Sequence, residues 1–77
     1  MSKIKITANG GRYTIIEQRS NPLPEGVTAI SSTSLQPWMA LNFTAAGAMV
    51  GGRTFTEMQR EQAISGAKKA GYAIEEQ

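Results

Sequence analysis

Gly47, Gly52, Arg53 and Thr54 stand at the spacing of a phosphate-cradling loop: a glycine, four residues, a second glycine, a basic residue, then a hydroxyl. Glycines in such a segment let successive backbone N–H groups converge, and a helix that follows adds unsatisfied N–H groups and a partial positive charge. On this reading Gly51 and Gly52 present bare amides to an anion. Arg53 adds a two-pronged contact to phosphate oxygens, and the hydroxyls of Thr54 and Thr56 complete the shell. Arg53 replaces the lysine of the nucleoside triphosphatases, and the chain has no Asp to help hold magnesium, which argues against triphosphate hydrolysis. The same letters also suit a glycine turn that only opens a helix.

A second Gly-Gly-Arg occurs at Gly10, Gly11 and Arg12, where turn composition explains the shared letters better than an internal repeat. It still sets Arg12 and Tyr13 beside flexible backbone, and subunits that joined the two segments would let Arg12 and Arg53 serve one multivalent anion. Trp38, directly after Pro37, is placed either to stack on a base or anchor an interface, or to fill the core. Ser31, Ser32, Thr33 and Ser34 offer hydroxyls that suit a solvated loop or a helix cap. Glu57 and Glu61, one turn apart, read as a solvated helix face rather than an acid–base pair. With no His, Cys or Asp, the chain lacks imidazole bases, thiol nucleophiles, disulfides and Cys/His zinc ligands. No enzymatic activity, catalytic residue, metal or cofactor is therefore expected.

The 77 residues read as a single small domain spanning residues 1–77, with 40% hydrophobic and 18% charged residues. A chain this short buries only about 60–65% of its unfolded surface, so self-association is expected to support it. A net charge of +2, with Lys and Arg scattered along the chain, gives weak support to duplex nucleic acid. No apolar run approaches a membrane span, and Met1-Ser2-Lys3-Ile4-Lys5 has no hydrophobic leader, so a cytoplasmic location is expected.

The elements that must position these residues follow from periodicity and punctuation. Residues 3–7 alternate, Asn9-Gly10 is a favoured two-residue turn, and residues 12–16 resume β-type composition, which predicts a hairpin. A two-residue turn pairs Ile4 with Ile15 and Ile6 with Tyr13, leaving Ile16 on the polar face to be covered by another element or another subunit. Residues 19–26, with two prolines and a glycine, form a connector, and residues 27–30 a short strand. Residues 38–45 alternate as a strand with Met39, Leu41, Phe43 and Ala45 on one side, against a rival helix capped by Ser34. Residues 47–52 form a glycine-bearing loop. A capping-box pattern at Thr54 or Thr56 then opens a helix running to about Ala70, with an apolar stripe of Ala63, Ile64, Ala67 and Ala70, and Gly71 just beyond. Tyr72-Ala73-Ile74 closes as a strand. The expected class is α+β: a small antiparallel sheet starting with an N-terminal β-hairpin, one main helix near the C-terminus and a short final strand.

In this arrangement, the hairpin of residues 3–17, the loop 47–54, the helix 56–70 and the strand 72–75, the chain resembles the compact proteins that phages encode to blunt bacterial defences. The resemblance implies either a sponge for a cyclic nucleotide signal or a direct inhibitor of a host defence complex, acting in the host cytoplasm. The leading expectation is a non-enzymatic homo-oligomer that sequesters a phosphate-bearing small molecule, a nucleotide. Gly51, Gly52, Arg53, Thr54 and Thr56 would hold the anion, with Arg12, Tyr13 or Trp38 adding charge or stacking. The alternatives are a protein–protein inhibitor acting through Ile16, Trp38 or a strand edge, and a single-stranded nucleic-acid binding module.

Overall fold

The computed structural model describes residues 3–29 and 36–77. Its chain order is β1 (Ile4–Thr7), β2 (Tyr13–Gln18), β3 (Val27–Thr28), β4 (Trp38–Phe43), β5 (Met49–Phe55), α1 (Glu57–Lys69) and β6 (Ala73–Glu76). The strands form one six-stranded sheet in the order β3-β5-β4-β2-β1-β6. All neighbours are antiparallel except β3, which lies parallel to β5, so the α+β class holds while the sheet is mixed. Among the described residues no helix is long and apolar enough to cross a membrane. Ser31 to Ser34 and Ile30 lie outside the described residues.

The N-terminal hairpin forms with its register one residue away from expectation. Gly11 N–H donates to the Ala8 carbonyl (3.1 Å) and Ala8 N–H to the Arg12 carbonyl (2.8 Å), so the loop consumes residues 9–11 rather than two. Gly10 and Gly11 supply the positive φ angles, +90° and +91°, that such a loop needs. Ile4 therefore stands opposite Ile16 and Ile6 opposite Thr14. Because side chains alternate across a sheet, the slip turns all of β2 over. Ile16 goes to the core, 1% exposed, while Tyr13 and Ile15 take the other face. No second subunit is needed to cover Ile16, because α1 does so.

Strand β4 settles the rivalry at residues 38–45 in favour of the strand. Trp38 and Ala40 face α1, and Met39 and Leu41 face away, and all but half-buried Trp38 are buried. The helix-side core joins Ile16, Ala40 and Phe55 of the sheet to Ala63 and Ile64 of α1, with Ile6 and Trp38 at its border. Ala67 is buried as expected, whereas Ala70 is the exposed helix C-cap and not part of the stripe. On the far side Ser20 Oγ donates to Met39 Sδ (3.9 Å) and the Thr54 hydroxyl donates to Gln36 Oε1.

The glycine-bearing loop is shorter than expected. Its turn occupies residues 44–48, closed by Thr44 N–H to the Ala48 carbonyl (2.9 Å) and Gly47 N–H to the Thr44 carbonyl (2.9 Å). From Met49 the chain is already strand. Asn42 pairs with Gly51 but Phe43 with Met49, so Val50 is an extra residue, a β-bulge that leaves its side chain 67% exposed.

Candidate functional site

The amides expected to cradle an anion lie within a paired strand of the sheet. Gly51, Gly52, Arg53 and Thr54 pair with Asn42, Leu41, Ala40 and Met39 of β4, and Gly52 and Arg53 also pair with Val27 and Thr28 of β3. The bulge at Val50, with Gly51 at φ +145°, lets the glycine pair stay in the strand where a loop was expected. The helix start is likewise occupied: Thr56 Oγ1 accepts from Gln59 N–H (3.1 Å), and Gln59 Oε1 accepts from Thr56 N–H (2.9 Å). This reciprocal cap uses two of the donors an anion would need. Thr54 is fully buried on the far face of the sheet.

What the fold builds instead is a groove on the helix side of the sheet, along the edge of α1. Its floor is the row Ile6, Thr14, Asn42 and Gly51, read straight across β1, β2, β4 and β5. Its walls are Ala63, Ala67 and Tyr72 on one side and Val50, Arg53 and Phe55 on the other, enclosing about 560 Å³. The void exists because the facing positions, Ala40, Gly51, Ala63 and Ala67, carry almost no side chain. Close packing would otherwise fill such a space.

Tyr72 reaches the groove through the helix C-terminus. Tyr72 N–H donates to the Ala67 carbonyl (3.0 Å) and Gly71 N–H to the Lys68 carbonyl (3.1 Å), a Schellman motif whose C′ residue is Gly71 at φ +79°. A smaller depression of about 250 Å³ adjoins the groove. It shares Ile6, Thr14, Asn42, Val50 and Tyr72 with it and adds Arg12, Tyr13 and Phe43.

The polar groups are few. Thr14 Oγ1 donates to Asn42 Oδ1 (2.7 Å), which leaves the Asn42 NH₂ as donors on the floor. The Arg53 guanidinium sits 4.9 Å from the centre of the Phe55 ring and pairs with no carboxylate among the described residues. Among the described residues neither depression is lined by a Glu, and the charged side chains that line them are arginines. Among the described residues no cluster of metal-ligating side chains occurs.

The residues singled out from sequence therefore divide. Gly51, Gly52 and Arg53 line the groove, and Arg12 and Tyr13 line its smaller extension. Thr54, Thr56 and Trp38 do not. Trp38 packs at the opposite end of the sheet, with the Arg60 guanidinium 4.4 Å from its ring centre. Tyr13 stacks on Phe43 of β4 (4.9 Å, 12° between planes), while Lys5 of β1 approaches it to 4.5 Å. Contacts from both flanking strands leave Tyr13 little ring face for a base. Asn42, Thr14 and Tyr72 went unread as site residues. The available signal was Asn42 itself, a lone amide breaking an apolar run, together with alanines at 63 and 67 on one helix face.

No protein-family model matches the chain, and no curated protein or solved structure matches it.

Proposed function

We propose that the protein is a non-enzymatic binding protein that sequesters a phosphate-bearing small molecule of nucleotide size, held in the helix-side groove. The observation that carries this reading is Arg53, an exposed cation without an ionic partner among the described residues, at the rim of a carboxylate-free apolar groove of about 560 Å³. Ligand sites of this kind are mostly apolar, about 300–1,000 Å³ in size, with a few placed polar groups. The apolar walls suit a base or sugar face, the Arg53 fork suits phosphate oxygens, and the Asn42 amide supplies neutral donors. Capture without turnover is supported by a lining whose side chains offer only hydroxyls, an amide and guanidiniums, none a general base near neutral pH. Such capture is the sponge role that the resemblance to phage anti-defence proteins implies, exercised in the host cytoplasm.

The test is a thermal-shift screen of nucleoside monophosphates and cyclic mono-, di- and trinucleotides. At least one should raise the melting temperature, and Arg53→Ala should abolish the rise. No shift with any nucleotide discards the proposal. A second reading, inhibition of a protein partner, is favoured by Val50, an apolar side chain 67% exposed at the groove lip. Under it Val50→Asp abolishes capture of the partner and Arg53→Ala spares it.

A further inference from the structure

The groove and the smaller depression adjoin, each lined by one cation, and the geometry points to a ligand bearing two phosphates, one on either side of a ribose. The inference rests on the reading of the groove as a nucleotide site and goes beyond it by fixing the number and placement of the anionic groups.

Three observations carry it. First, the larger and smaller depressions share Ile6, Thr14, Asn42, Val50 and Tyr72, so the two lie side by side. Second, among the described residues the only charged side chains lining them are Arg53 in the larger and Arg12 in the smaller. Neither arginine pairs with a carboxylate among the described residues, although the chain carries six Glu. Third, the register keeps the two charges apart. Arg12 directly precedes β2, four residues from Ile16, and Ile16 stands in line with Ala40 and Arg53. Four residues along a strand and two strand spacings across separate the two Cα atoms by about 17 Å. The Arg53 guanidinium, moreover, lies over Phe55, one row further from Arg12. A single phosphate held by both would require Arg53 to leave that ring, whereas two phosphates carried on one ribose let Arg53 keep it while Arg12 meets the other phosphate. The base then lies over the apolar middle, between Tyr72 and Val50, with the Asn42 amide beneath it.

The experiment compares adenosine 3′,5′-bisphosphate with adenosine 5′-monophosphate by titration calorimetry on the full chain, for the wild type, Arg12→Ala and Arg53→Ala. One additional charge-assisted contact is expected to make the bisphosphate bind about 10- to 100-fold more tightly than the monophosphate. Arg12→Ala should collapse that preference to within about threefold, and Arg53→Ala should weaken both ligands. Arg12 and Arg53 are exposed, and a urea midpoint equal to that of the wild type confirms that each variant is folded. A bisphosphate preference untouched by Arg12→Ala, or no preference in the wild type, overturns the inference while leaving the single-phosphate reading intact. Failure of both nucleotides to bind overturns that reading as well. A second copy of the chain seated in the groove would appear as a concentration-dependent mass by light scattering, insensitive to either nucleotide, and overturns both.

Discussion

Glycine at position 52 is demanded by sheet geometry rather than by a ligand. A Cβ built there would lie 2.3 Å from the Ala40 carbonyl oxygen, which belongs to the backbone of paired strand β4 and cannot swing away. Gly66 is the opposite case, an exposed helix position whose added Cβ would meet nothing within 4 Å. The same substitution should therefore carry opposite signs at the two sites. Gly52→Ala is expected to lower unfolding stability by about 1–3 kcal/mol through overpacking. Gly66→Ala is expected to raise it by about 0.5–1 kcal/mol by restricting the unfolded chain and favouring the helix. Urea denaturation of both variants measures the contrast, and equal effects would contradict the strand assignment of Gly52. This is also where residue letters alone mislead. Gly51-Gly52-Arg53-Thr54 is compatible with an anion loop and with a bulged strand, and the choice is made by Val50, whose extra position in the ladder becomes visible only once Asn42 and Phe43 find their partners.

At the scale of elements, what was legible was local and what was not depended on a partner. Helix α1 announces itself through Thr56, Gln59 and Gly71, each of which acts within one turn of its own position, and both ends fall within a residue or so of expectation. The faces of β2 could not be read in the same way. They follow from whether the preceding loop holds two residues or three, and Gly11 beside the favoured Asn9-Gly10 pair allowed either. The α1 stripe of Ala63, Ile64 and Ala67 offers little apolar area, so the helix leans on its caps. Thr56→Ala removes the hydroxyl that accepts from Gln59 N–H, one half of the capping box, and should cost about 1 kcal/mol. For a domain of this size that is a fall of about 4–8 °C in melting temperature, measurable by circular dichroism. Gly71→Ala strains the position at φ +79° that turns the chain toward β6, and it should destabilise the fold by a similar amount. Since Tyr72 is set over the groove by that turn, Gly71→Ala should also weaken nucleotide binding, whereas Thr56→Ala at the far end of α1 should not.

For the molecule as a whole, the groove is a consequence of coverage: one 13-residue helix faces a six-stranded sheet and leaves the β4–β5 corner open on that side. Ala63 stands at the boundary, packing against the core on one side and lining the groove on the other. Replacing it with Leu adds three carbons over Ala40 and Gly51, where the only thing displaced is solvent or ligand. Filling a void beside an apolar wall should leave stability unchanged or raise it, since each buried methylene contributes about 0.8 kcal/mol. The urea midpoint of Ala63→Leu should therefore be at or above that of the wild type, while its affinity for adenosine monophosphate and bisphosphate alike falls at least tenfold. Arg53→Ala should lower affinity by a different route, with the groove still open, so a neutral adenosine probe should distinguish the variants: Ala63→Leu excludes it and Arg53→Ala does not. Should Ala63→Leu bind nucleotides as the wild type does while remaining folded, the ligand sits elsewhere and the helix-side groove is not the site.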